Sequence, residues 1–198
     1  VVFIVPGLIM MAWAINAFSN NSSSILQQKF QKAIDDQLSS PASPTDLLLG
    51  FSLGGFLRGG LIAGLTFVTA LVLIDLPVAH PLVALAGLVL VGFFFAQIGV
   101  LVGVRAEQFD DIALYQTFVL TPLIFLGGVF YSASLLPEPY QTLTHFNPVY
   151  YMINLVRYGF LGYSDAPIAL SLAVLAGACA VLFLVNRHLF QRGYKLRA

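Results

Sequence analysis

The chain has 198 residues, of which 59% are hydrophobic and only 9% charged, far below the roughly 25% charge of a soluble domain. Its mean hydropathy of +0.89 means that lipid, rather than water, surrounds most of the folded chain. A formal net charge of zero argues against nucleic acid as a partner, and the single cysteine, Cys179, excludes a disulfide framework or a thiolate metal site.

Val1 opens inside an apolar segment with no basic n-region and no signal-type cleavage site, so a preceding part of the protein, with one more span, is expected ahead of it. A spanning helix needs about 20 mostly apolar residues. Residues 1–18, 47–74, 82–104, 112–131 and 168–185 qualify. Barrel strands would be about half as long and would alternate with polar residues. The expected fold class is an all-α integral membrane protein. It is a single domain over residues 1–198, with five visible transmembrane helices and six in the full chain.

After the first segment, Ser24 with Gln27 three residues on reads as a capping box. Leu26, Phe30, Ile34 and Leu38 recur at helical spacing, and Pro41 and Pro44 stop the pattern. The spacing predicts a short amphipathic helix over residues 25–38, either lying in the headgroup layer or docking a partner. Ser43 as N-cap, Pro44 at N1 and Asp46 at N3 then start the second span.

That span carries Gly54, Gly55, Gly59 and Gly60, whose small-residue spacing predicts close helix packing. It also carries Arg58, costly in hydrocarbon. Arg58 either snorkels to an interface, is neutralised by a neighbouring helix, or sits at the mouth of a substrate path.

Six of the eight tyrosines fall between Tyr131 and Tyr163. Pro137, Pro139 and Pro148 interrupt this stretch too often for a span, yet it is too apolar for a free loop. Two short helices dipping into one leaflet fit both facts. Tyr150, Tyr151 and Tyr158 read as an aromatic belt and as flanking a substrate exit. Arg157 needs a partner, and Glu138 is the expected one.

Lys29, Lys32, Arg105, Arg187, Arg192, Lys195 and Arg197 fall on one side if all five segments span, which predicts a cytoplasmic C-terminus. There is no GxxxxGK[ST] phosphate loop, no GxSxG elbow and no metal-type histidine spacing among His80, His145 and His188. The chain is therefore not expected to be an enzyme. No span carries the carboxylate of an ion relay, which argues against the alternative of an ion-coupled secondary transporter. A membrane-embedded lipid-modifying enzyme is the other alternative, with only His145, Glu138 and Arg157 to serve it.

Three stretches, KFQKAIDDQLSSPASPTDLLLG, FDDIALYQTFVLTPLIFLGGVFYSASLLP and NPVYYMINLVRYGFLG, in this order and spacing, resemble the membrane subunit of type-2 ABC transporters. The resemblance is strongest to exporters of lipo-oligosaccharide, polysaccharide and drugs. It implies a bacterial inner-membrane permease without cofactors of its own, ATP and Mg being bound by a separate cytoplasmic ABC ATPase. It implies pairing with a second permease copy, most simply as a homodimer, among membrane lipids. It also implies that residues 25–38, with Leu26, Phe30, Ile34, Asp35, Asp36 and Leu38, form the coupling helix seated in the ATPase. Residues 136–163, with Glu138, Tyr150, Tyr151, Arg157 and Tyr158, would form a re-entrant pair at the outer gate.

Overall fold

A computed structural model describes residues 2–34, 36, 41–132 and 137–193 of the chain, the side chains of residues 139 and 143 excepted. All regular elements among them are helices. Helix α1 spans Val5–Phe30, α2 Pro44–Leu73, α3 Pro81–Arg105 and α4 Phe109–Leu126. The short helices α5, Glu138–His145, and α6, Pro148–Leu161, precede α7, Ile168–Arg192. Helices α2, α3, α4 and α7 are long and apolar enough to cross a membrane.

Helix α1 departs from expectation in two ways. It does not end near Phe18, and Ser24 caps nothing, because the chain stays helical to Phe30. The two serines before Ser24 bond back within the helix: Ser22 Oγ donates to the Phe18 carbonyl and Ser23 Oγ to that of Ser19. No Gly or Pro interrupts the run after Gly7, so nothing breaks the ladder. At 26 residues α1 is about 39 Å long, but it is not among the four helices apolar enough to span by composition. Its position explains this. It lies along both α2 and α3, which bury Asn21 and Ser22 away from lipid.

Glycines set how closely these helices approach. On α2, a Cβ at Gly55 would collide with Asn21 and the Ala17 carbonyl oxygen, and one at Gly59 with Trp13. A Cβ at Gly60 would come 3.0 Å from the Trp13 ring, whereas Gly54 has room, its nearest neighbour being Asn20 at 3.8 Å. The second half of the clamp is on α3, where Gly92, Gly99 and Gly103 face Trp13, Phe18 and Ser22. Buried amides tie the bundle further: Gln97 donates to Ser52 of α2 at 2.9 Å, and Asn186 of α7 donates to Gln97. Helix α3 also lies along α6 and α7.

Candidate functional site

Two ends of the bundle differ in chemistry. Lys29, Arg105 and Arg192 lie in the last turns of α1, α3 and α7 and gather cations at one end, the basic end, where Asp46, Asp110 and Asp111 begin α2 and α4. The other end holds α5, α6 and most of the tyrosines.

At the basic end the predicted coupling helix is not one element. After Phe30 the chain turns, with Lys32 at φ 56°, and residues 33, 34 and 36 are helical again. The stripe of Leu26, Phe30 and Ile34 is therefore not a single face. Leu26 is buried in the main core, while Phe30 is 57% exposed with its ring on Phe109. Ile34 is buried in a separate cluster with Ile25 of α1, Leu48 of α2, Val100 and Val104 of α3 and Phe190 of α7. Asp36 is exposed, and Asp35 and Leu38 lie outside the described residues. The connector rejoins α2 as expected, through a capping box in which Ser43 Oγ accepts from the Asp46 amide and Asp46 accepts from the Ser43 amide. Lys29 Nζ donates to the carbonyls of Val104 and Ala106, closing the C-terminus of α3.

Midway along the bundle, α1 carries a polar face at the edge of its clamp. Asn16, Ser19, Asn20 and Ser23 are half-buried at spacings of three and four. Ser19 Oγ donates to Gln116 Oε1 of α4 at 3.0 Å, and Arg58 Nη1 of α2 donates to Asn20 Oδ1 at 3.0 Å. Gln116 opens a π-helical turn over Gln116–Leu120. Pro122 follows it, with no amide hydrogen to give and a ring that crowds the preceding turn, and Thr121 donates to the Gln116 carbonyl through both its amide and its Oγ1. This polar face was not foreseen. Its signal in the sequence was the repeat of Asn and Ser three and four apart inside an otherwise apolar helix.

At the tyrosine end the predicted pair of short helices is present, but the expected Arg157–Glu138 pair is not. Glu138 is exposed at the start of α5. Arg157 pairs with Asp165 at 3.5 Å, donates to the Gly128 carbonyl at 2.7 Å and lies over the Phe3 ring at 4.0 Å. Gly162, at φ 70°, ends α6 and turns the chain back, which brings Asp165 beside Arg157. Asn154 clamps this turn by donating to the Ala166 carbonyl and accepting from the Asp165 amide. Burial pulls the Arg157 guanidinium below its usual value, with Asp165 opposing. Tyr150 is buried, Tyr151 donates to the His145 carbonyl, and Tyr158 stacks on His80 at 4.6 Å. Burial first, then Asp165, pushes the Tyr150 phenol up to about 12, so it stays protonated at neutral pH. The backbone of Ala79 and His80 hydrogen-bonds the last carbonyls of α6, seating it against the start of α3.

Among the described residues no group of histidine, cysteine or carboxylates has metal-binding geometry. The arrangement is one of helices, polar faces and a buried latch. It suits passage or force transmission.

Similarity to known proteins agrees. The chain is 46% identical over 198 residues to the inner membrane transport permease YadH of Escherichia coli, covering 99% of this chain and 77% of that protein. It is 28% identical over 198 residues to nodulation protein J of Sinorhizobium fredii, covering 97% and 74%. With nodulation protein J of Rhizobium leguminosarum it shares 35% identity over 114 residues, 58% of this chain and 42% of that one. The ABC-2 type transporter family matches residues 1–161, and with these relatives it makes the chain a transporter permease subunit of that family.

Proposed function

We propose that the chain is the permease of an ATP-driven exporter in the bacterial inner membrane, worked by a cytoplasmic ABC ATPase that binds ATP and Mg. The observation that carries this is Ile34. One side chain of the connector sits among residues of α1, α2, α3 and α7, so a push on the connector moves four helices together. Interiors packed this way transmit displacement rather than absorb it. Asp36 and the exposed Phe30 lie beside it for a partner to grip. The inner-membrane placement follows the name of the Escherichia coli relative. A second permease copy, most simply an identical one, faces the polar side of α1, and the substrate passes along Asn16, Ser19 and Ser23. The buried latch of α6 closes the far end. The substrate is lipid-linked, saccharide or drug-like, as in the exporters that the sequence resembles.

Affinity purification of the full-length protein from its native membrane tests the reading. A Walker-A ATPase is expected to copurify, and Ile34→Asp is expected to release it while the permease stays inserted. Recovery without any ATPase, together with activity that collapses when an ionophore dissipates ion gradients, would favour an ion-coupled transporter instead.

A further inference from the structure

Between α1 and α2, at the basic end, lies a groove of about 460 Å³. Its α1 wall carries Asn21 and Gln28, and its α2 wall carries Gly50 and Gly54. These two glycines are not packing devices. A Cβ at Gly50 would meet nothing within 4 Å, and one at Gly54 only Asn20 at 3.8 Å. They keep the groove open, unlike Gly55 and Gly59 on the packed side of the same helix.

The polar atoms of the groove are unevenly satisfied. Asn21 is 1% exposed, and its Nδ2 donates to the Ala96 carbonyl, but its Oδ1 has no partner. Gln28 Oε1 is likewise enclosed without a partner. Two enclosed acceptors without donors are costly in a low-dielectric bundle. Asn21 Oδ1 is turned against Gly55 in the packed contact, whereas Gln28 on the groove wall calls for a ligand that brings O–H or N–H groups. One turn beyond Gly54, Arg58 holds the inner end of the groove with Asn20, about 21 Å along α2 from Pro44. It is exposed there and has no carboxylate within ion-pair distance among the described residues. An arginine at that depth calls for an anion. Beside it Leu53, Leu57 and Leu61 form an exposed ridge on α2, with 52%, 61% and 71% of their surface uncovered.

These features lie in the order of the parts of an amphiphile. We propose that the α1–α2 groove binds a phospholipid whose headgroup bears hydroxyl or ammonium donors. The phosphate sits at Arg58 and Asn20, and the headgroup donors reach Gln28 past Gly54. Asp46 at the groove mouth favours a donor-bearing head, and the acyl chains run over Leu57 and Leu61. This site is independent of the direction of transport and of the ATPase, and it lies on a different side of α1 from the Ser19–Gln116 contact.

The test uses the full-length protein in phosphatidylcholine nanodiscs doped with a photoactivatable phosphatidylglycerol, with crosslinks mapped by peptide. Labelling is expected on α1 and α2 peptides that line the groove. Arg58→Gln is expected to lower it about tenfold, the scale of losing a charge-assisted hydrogen bond. Gly54→Leu, which fills the groove, is expected to do the same. Gly64→Leu, equally open but remote from the groove, is expected to leave labelling intact and so controls for folding. A photoactivatable phosphatidylcholine, with the same phosphate and no headgroup donor, is expected to label weakly. Equal labelling by both lipids, or labelling indifferent to Arg58→Gln and Gly54→Leu, would overturn the site in favour of ordinary annular lipid. Full competition by free glycerol phosphate would overturn the lipid assignment in favour of a soluble phosphate ligand.

Discussion

Arg157 of α6 and Asp165 in the turn before α7 form a buried ion pair, Nη1 to Oδ2 at 3.5 Å, with each side chain 3% exposed. Asp165 also accepts from Ser132 and from Tyr163, both at 2.7 Å. One carboxylate thus gathers the end of α6, the start of α7 and the segment that follows α4.

Removing either partner leaves a buried charge uncompensated, at a cost of about 3–5 kcal/mol. Asp165→Asn and Arg157→Gln are each expected to lower the unfolding temperature in detergent substantially. The combined Arg157→Met, Asp165→Leu variant is expected to recover part of the loss. Exchanging the charges of Arg157 and Glu138 is expected to give no rescue, because Glu138 is exposed and Arg157 is paired with Asp165 instead. Rescue by that exchange would contradict the observed pairing.

Ile34 and Phe30 should respond in opposite ways to the same change. Ile34→Asp buries a carboxylate in the small cluster at the basic end and is expected to abolish transport while membrane insertion, read by fractionation, persists. Phe30→Asp alters a side chain that is 57% exposed. It should insert and fold normally, with any loss confined to partner binding. A folding defect in Phe30→Asp with a normal Ile34→Asp would reverse the assignment of which residue anchors the connector.

Glycines should separate by what faces them. Gly99→Leu drives a side chain into the Phe18 backbone, and Gly55→Leu drives one into Asn21 and Ala17. Each is expected to cost about 1–3 kcal/mol through overpacking. Gly50→Ala and Gly177→Ala, with open space around both, are expected to be neutral or mildly stabilising in a thermal melt.

Orientation is open to direct measurement. In a Cys179→Ala background, Asp36→Cys is expected to be shielded in intact cells from a membrane-impermeant maleimide, and Tyr140→Cys, 59% exposed, to be labelled. The reverse pattern would invert the whole topology.

The sequence by itself determined the membrane-protein class, three of the long spans to within a few residues, and the Ser43–Asp46 cap. These depend on composition, on runs of apolar residues and on contacts three residues apart, all of which are local. It also located the pair of short helices, because prolines interrupt an apolar stretch there too often for one span. Tertiary structure alone decided the rest. Whether a new helix starts at Ser24 or the old one runs on through it depends on what shields α1, and α2 and α3 supply that shield. Which acid meets Arg157 depended on the reversal at Gly162, which brings Asp165 beside it rather than Glu138 from the start of the segment. The roles of the glycines split for the same reason. Gly55 and Gly54 are neighbours in sequence, but a helix places successive residues about 100° apart, and only the position of α1 fixes that one is packed and the other lines a groove.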